Sequence, residues 1–318
     1  MGKIVVFDSG FGGLTVLREL VSLMPDEEYI YYGDSANAPY GEKSHDELLK
    51  LGSDICLALS SEYDVKCFVI ACNTTTSEVW NELTERFGDY SFVGIEPALA
   101  WAAEENPGRN ILVLATTATI NGKRLRHRYE LLKDKANITL LPAPGIVPFV
   151  ENKDADPEEF AEYMDKLLAP YKDAVDCVVL GCTHFPFVKN EILTAIGHNI
   201  LFYDAAVSVA ETVRRLINGE LQDKERSVFH CGTHIGTHSR IHSGTDSSIH
   251  CGTHSGMNSG MNSSDHSDDM HSSNLCGNAA AGEASEKKRN IIFLNSDPAK
   301  LVQEKTLFDM YRCMSINS

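Results

Sequence analysis

Two cysteines, Cys72 and Cys182, stand in this chain where chemistry is done: each ends a short apolar run and opens a polar turn. The first run is Cys67-Phe68-Val69-Ile70-Ala71, followed by Cys72-Asn73-Thr74-Thr75-Thr76. The second, 110 positions on, is Cys177-Val178-Val179-Leu180-Gly181, followed by Cys182-Thr183-His184. A thiol can take up a proton only as thiolate, and free cysteine has a pKa of about 8.5, so the surroundings must lower it. A helix N-terminus after each cysteine, and a protonated His184, would do so. A thiol and a thiolate facing one tetrahedral carbon from opposite sides could remove a proton from one face and deliver one to the other, which inverts the carbon. Other readings of the same residues are a Cys182–His184 nucleophile for acyl transfer, a metal held by Cys72, Cys182 and His184, and coincidence.

The elements that must position these groups follow from periodicity. β-Branched apolar runs at Ile4–Phe7, Glu28–Tyr32, Cys67–Ala71, Ser91–Ile95, Asn110–Leu114, Ile138–Leu141, Cys177–Gly181, Ile200–Tyr203 and Ile291–Leu294 read as strands. Segments of helical spacing separate them, which predicts parallel sheets flanked by helices. In such sheets ligands bind beyond the strands' carboxyl ends, where both cysteines fall. The helices include one from Ser44 with a Ser44/Glu47 capping box, one opened by Pro97 and running through Trp101, one opened by Asp156-Pro157, and one from Pro186 to Ile196. The turn Asp8-Ser9-Gly10-Phe11-Gly12-Gly13 after the first strand has the form of an anion cradle or of an ordinary tight βα turn, and lacks the spacing of a dinucleotide fingerprint or a P-loop. Asp8 would repel a plain anion there, which suggests a ligand that also carries an ammonium. The basic run Lys123-Arg124-Leu125-Arg126-His127-Arg128 reads as a solvated helix face, and Thr116 as a helix cap.

At 318 residues, 43% hydrophobic and 23% charged, the chain has the composition of a soluble protein with room for two modest cores. A net charge of −17 argues against nucleic-acid binding. No apolar run reaches the roughly 18 residues of a membrane span, and Met1 to Gly10 has no leader pattern, so a cytoplasmic location and no membrane partner are expected. Nine scattered cysteines do not make a disulfide framework; Cys56, Cys67, Cys177 and Cys313 read as buried fillers.

Four stretches together, Asp8-Ser9-Gly10-Phe11-Gly12-Gly13-Leu14-Thr15-Val16, Asn37-Ala38-Pro39-Tyr40-Gly41, Ala71-Cys72-Asn73-Thr74 and Gly181-Cys182-Thr183-His184-Phe185-Pro186, closely resemble the glutamate racemases. The resemblance runs from Lys3 to about Asn218 and resumes at Asn290. It implies interconversion of L- and D-glutamate without a cofactor or metal, supplying D-glutamate for peptidoglycan, by a cytoplasmic homodimer of two-domain α/β subunits. By it Cys72 and Cys182 are the acid/base pair, assisted by Asp8, His184 and Glu151. Ser9, Tyr40, Gly41, Asn73, Thr74, Thr119 and Thr183 hold substrate, with Asp8 and His184. Aspartate racemases resemble Gly-Cys-Thr-Glu at the second unit, where this chain has His184. The alternatives are a racemase for another acidic amino acid such as aspartate, and a non-catalytic binding protein for acidic amino acids.

The expected organisation is a first α/β domain of residues 1–94, 208–226 and 290–318, a second of 95–207, and the site in the cleft between them. Residues 227–289 form a Ser/Gly/His-rich insertion that the resemblance does not contain, with eight of the twelve histidines and His-Cys-Gly-Thr-His written twice. Such composition favours disorder, and the repeats read as a low-complexity expansion with no selected ligand, the alternative being a zinc or nickel site. Its two ends are expected to lie close together, so that a short Gly-Ser turn could replace Cys231 to Glu286.

Overall fold

The computed structural model describes residues 2–221, 227–230 and 291–314. Two parallel sheets are built from strands alternating with helices. The first takes β1 (Lys3–Asp8), β2 (Tyr29–Gly33), β3 (Val65–Ile70), β4 (Ser91–Ile95), β9 (Ser227–His230) and β10 (Ile291–Asn295), in the spatial order β10-β2-β1-β3-β4-β9. The second takes β5 (Asn110–Ala115), β6 (Asn137–Pro142), β7 (Cys177–Gly181) and β8 (Leu201–Tyr203), in the order β6-β5-β7-β8. The core of the first sheet and the whole of the second therefore share one plan, 2-1-3-4, which is the structural basis of the cysteine echo. In each, a cysteine follows the third strand.

The central strands are apolar throughout because both faces are covered. Ile4 and Val6 of β1 enter a core with α1 (Leu14–Leu23) and α10 (Ala206–Ile217), while Val5 and Phe7 enter another with α2 (His45–Glu62) and α3 (Asn73–Arg86). The first of these cores continues through α4 (Leu99–Glu105) onto Ile111 and Val113 of β5, so the two sheets share apolar packing. The other face of the second sheet packs on α8 (Pro157–Leu168) and α9 (Lys189–Ile196). The Ser44/Glu47 capping box is present, and Asp156 caps α8 through the Glu158 amide.

Register decides which residues meet. Phe7 pairs with Ile70, and the Ala71 amide donates to the Phe7 carbonyl, so Asp8 and Cys72 end neighbouring strands. Ala115 pairs with Gly181, so Thr116 and Cys182 do the same in the second sheet. Both pairs sit at the point where strand order reverses, which is where open α/β sheets bind ligands.

Several expectations are corrected. Pro97 does not open a helix; α4 begins at Leu99 and runs to Glu105. The segment after Cys182 is not an α-helix from Pro186: a 3₁₀ turn, Phe185–Val188, comes first, and α9 starts at Lys189. Arg124 and Arg128 of α6 (Lys123–Leu132) do not form a solvated face, since both reach the largely buried Glu96 carboxylate at 3.7 Å. Cys56, Cys67 and Cys177 are buried, as expected; the side chain of Cys313 lies outside the described residues.

The stretch from Ser227 is not all insertion, because Ser227–His230 forms β9 and pairs with β4 from Phe92 to Ile95. Nor do its ends lie together: β9 and β10 are opposite edges of the sheet, separated by about 24 Å at five strand spacings. Both run parallel to their neighbours, so the connection must also return the length of a strand. The His-Cys-Gly-Thr-His repeats, apart from the backbone of His230, lie outside the described residues. A four-residue Gly-Ser turn in place of residues 232–289 is therefore expected to unseat an edge strand and lower the melting temperature. A flexible linker of about 20 residues, whose root-mean-square span is about 25 Å, should preserve it. Equal melting temperatures for the two shortened proteins would contradict this topology.

Candidate active site

The turn after β1 and the turn after β7 are packed against each other. Gly12 is required there, because a Cβ on it would come within 2.4 Å of His184 Nδ1 and Thr183 Oγ1. Thr183 Oγ1 donates to Asp8 Oδ1 at 3.3 Å, joining the strand end of one sheet to that of the other. The Asp8 carboxylate is fully buried and its Oδ2 accepts from the amides of Gly10 (3.3 Å) and Gly13 (3.0 Å). The glycine turn thus gives these donors to a protein carboxylate, which favours the ordinary βα turn of the two readings over an open anion cradle. Burial raises the Asp8 pKa despite His184 and the Gly13 amide.

Glu151 ends α7 (Ile146–Glu151) and reaches across from the second sheet. Its Oε1 accepts from the Phe11 amide at 2.6 Å and lies 2.7 Å from His184 Nε2. His184 Nδ1 in turn lies 3.7 Å from Cys182 Sγ. Two positions along a turn are therefore enough for the imidazole to face the thiol. Burial alone would lower the His184 pKa, but its hydrogen bonds to Cys182 and Glu151, and their charges, raise it well above the usual value. Glu151 is the complement: burial would raise it, yet His184, the Phe11 amide and Lys300 hold it below the usual carboxylate range. Both shifts favour the charged forms, an imidazolium beside a carboxylate.

Cys72 is in different surroundings. It is the N-cap of α3, directly at the helix N-terminus. Nevertheless burial, reinforced by the Asp8 charge, pushes the thiol up to about 12, against the expected lowering. The two thiols are close enough for the charge of Cys182 to act on Cys72, and both are buried.

Among the other expected residues, Ser9, Tyr40, Asn73, Thr74 and Thr119 are all buried. Thr74 Oγ1 lies 2.9 Å from Thr116 Oγ1, which donates to Thr119 Oγ1 at 3.0 Å. Gly41 packs on Thr116, whose Cβ would be 2.8 Å from a methyl at that position. The Tyr40 hydroxyl donates to Asp34 Oδ2. Asn73 Oδ1 is buried without a hydrogen-bond partner among the described residues. Thr116 does cap α5 (Thr117–Asn121) through the Thr119 amide, but it also bridges Thr74 and Thr119, which its capping pattern hid. Lys300 was not legible in the sequence as a neighbour of the site. Among the described residues no three Cys, His, Asp or Glu side chains converge as a metal site. A cavity of about 660 Å³ opens beside α3 and α6, lined by Ser77, Asn81, Lys123 and His127 among others; it reaches neither thiol.

Two α/β sheets of one strand plan, with a buried cysteine at each switch point and a carboxylate from each bonded to the other's turn, define a paired-thiol protein. Residues 9–213 match the Asp/Glu/Hydantoin racemase family, and the chain belongs to it. The glutamate racemase of Clostridium novyi is 40% identical over 227 residues, covering 70% of this chain and 87% of that protein. The crystal structure of Escherichia coli glutamate racemase with L-glutamate and the activator UDP-MurNAc-Ala has a TM-score of 0.63 at 30% identity, covering 70% of this chain and 85% of that one. Glutamate racemase isoform RacE1 of Bacillus anthracis has a TM-score of 0.61 at 26% identity, covering 72% and 86%.

Proposed function

We propose that this chain interconverts L- and D-glutamate without a cofactor, with Cys72 and Cys182 as the two proton-transfer groups. The observation that carries the reading is the unlike state of their surroundings. On this reading Cys182, with Sγ 3.7 Å from the buried His184 imidazole, is the base, and Cys72, whose thiol burial and the Asp8 charge push up, is the acid. One base and one acid are what inversion needs. In the direction that starts from this state, the Cys182 thiolate takes the α-proton, the electron pair left on Cα spreads into the α-carboxylate, and the Cys72 thiol protonates the opposite face. The enzyme is left with the protonation of the two sulfurs exchanged, ready for the reverse reaction.

The substrate ammonium sits against Asp8 and Asn73 Oδ1, which has no partner among the described residues, and offsets the buried charge that raises Cys72. Ser9, Tyr40, Gly41, Thr74, Thr119, Thr183 and His184 supply donors to the carboxylates, which stabilise the charge developing in the transition state. Glutamate is favoured over aspartate by the names of the relatives at 30–40% identity and by His184 at the position where aspartate racemases resemble Gly-Cys-Thr-Glu. The same kinship supports a homodimer and a role in supplying D-glutamate for peptidoglycan. A cytoplasmic location fits that role; among the described residues no helix is long and apolar enough to cross a membrane.

Incubating the protein with L-glutamate, no cofactor added, should bring optical rotation to zero. Saturable binding with unchanged rotation would instead identify a binding protein, and faster racemisation of aspartate would overturn the substrate assignment.

A further inference from the structure

After the connection from β9, the chain returns as β10 beside β2, with Asn295 paired to Gly33 at the carboxyl ends of both strands. Asp297 caps a 3₁₀ turn, Pro298–Lys300, that leads into α11 (Leu301–Met314). This delivers a set of side chains to the active-site end of the sheet. Lys300 Nζ lies 3.3 Å from Glu151 Oε2 and 5.4 Å from the centre of the Phe11 ring. Asn295 Nδ2 donates to Ser35 Oγ at 3.1 Å, and Ser35 Oγ donates to Glu151 Oε2 at 3.4 Å. One oxygen of Glu151 thus faces His184 while the other is held from the C-terminal segment.

We propose that Lys300 is a positioning residue of the reaction: by clamping the second oxygen of Glu151 it keeps the first against His184, and the imidazole against Cys182. The inference rests on the two-thiol reading of the site. Its physical basis is that Glu151 is buried, carries charge, and comes from a short helix end with no other cation beside its Oε2 among the described residues. The facing titratable groups are His184 from the β7 turn, Asp8 from β1, Tyr31 from β2, and Lys300 and Glu304 from the C-terminal segment. Asp8 and Glu304 add negative charge when ionised, so His184 and Lys300 are the two groups that oppose it. Lys300 and Glu304 share a face of their helical segment at i, i+4. Glu304 is fully buried, has one oxygen without a partner among the described residues, and is pushed up to about 8 by burial and by the charges of Glu151 and Asp8. Within this carboxyl cluster Glu304 and Asp8 are pushed toward the neutral form, whereas His184, the Phe11 amide and Lys300 favour the charged form of Glu151.

The test compares Lys300→Met, Lys300→Arg and Lys300→Met/Glu151→Gln with wild type and Glu151→Gln. Lys300→Met should lower kcat/KM roughly ten- to hundredfold through loss of alignment. It should also move the acid limb of the pH profile upward, because a carboxylate that loses its cation protonates at higher pH. Lys300→Arg should restore most of both. In the Glu151→Gln background Lys300→Met should cost nothing more, since the two act through one contact. Carbon NMR of the Glu151 carboxyl, assigned by its loss in Glu151→Gln, should show its midpoint rising in Lys300→Met. An unchanged acid limb and midpoint, or the same fold-loss in both backgrounds, overturns the proposal. If wild type racemises neither glutamate nor aspartate, the two-thiol reading falls and with it the catalytic part of this inference; an unchanged midpoint then removes the clamp as well. Lys300 is partly exposed, and Lys300→Gln replaces Lys300→Met should the latter not fold.

Discussion

Cys72→Ala and Cys182→Ala are each expected to cut racemisation by about 10⁴-fold, the upper end of what one acid/base group contributes. The proposed inversion leaves no spare group on either face: Cys72 and Cys182 end the third strands of separate sheets, so neither can substitute for the other. Exchange in deuterated water separates loss of inversion from loss of the site. In Cys72→Ala, the remaining thiol can remove the α-proton of one enantiomer and return a deuteron to the same face. That enantiomer should gain deuterium without inverting, and the other should not. Cys182→Ala should show the opposite preference. Exchange of both enantiomers by one variant, or turnover near that of wild type, would mean that another base works in the cleft.

His184→Asn should be the next most damaging change, lowering kcat/KM by roughly 10² to 10³-fold. Asparagine removes the positive charge beside Cys182 Sγ and leaves the buried Glu151 carboxylate without the partner 2.7 Å away. A buried carboxylate that loses one of its two cationic partners is destabilised, so a drop in melting temperature should accompany the kinetic loss. Because enantiomers have equal free energy, kcat/KM must fall by the same factor in both directions; only kcat and KM taken singly can differ between them. A loss in kcat confined to one direction, with a compensating change in KM, would tie His184 to one of the two protonation states. Unchanged kinetics in both directions would reduce it to a packing residue.

Much of this arrangement could be read before any coordinates. Strands such as Cys67–Ala71 and Cys177–Gly181 are conspicuous because burial on both faces leaves no polar residue in them, and the polar turn that follows marks where burial stops. The repetition of that pattern correctly anticipated two sheets of one plan. What local pattern could not carry was anything decided by distant pairing. Glu151 entered through family resemblance alone, since a glutamate at a helix end gives no sign that it will accept a bond from the Phe11 amide. Arg124 and Arg128 read as a surface because Glu96, their partner, is on another element. The thiolate argument for Cys72 counted the helix N-terminus but not the buried Asp8 on the neighbouring strand, which outweighs it together with burial. The choice of opposite edges for β9 and β10 leaves no trace in composition at all.

That choice has a consequence for how the molecule is made. Tyr29 pairs with Ile291, so the outer edge of β2 stays unpaired while residues 34–290 are translated. At about 5 to 20 residues per second, this amounts to tens of seconds in which a buried-type strand, Tyr-Ile-Tyr-Tyr-Gly, presents free backbone donors and acceptors, a hazard that edge strands elsewhere avoid by charge or bulges. Closing so distant a pairing is slow. It is also the step that brings the Lys300 ammonium to Glu151, so on the proposed role of Lys300 a nascent chain acquires both thiols long before it acquires the clamp that aligns one of them.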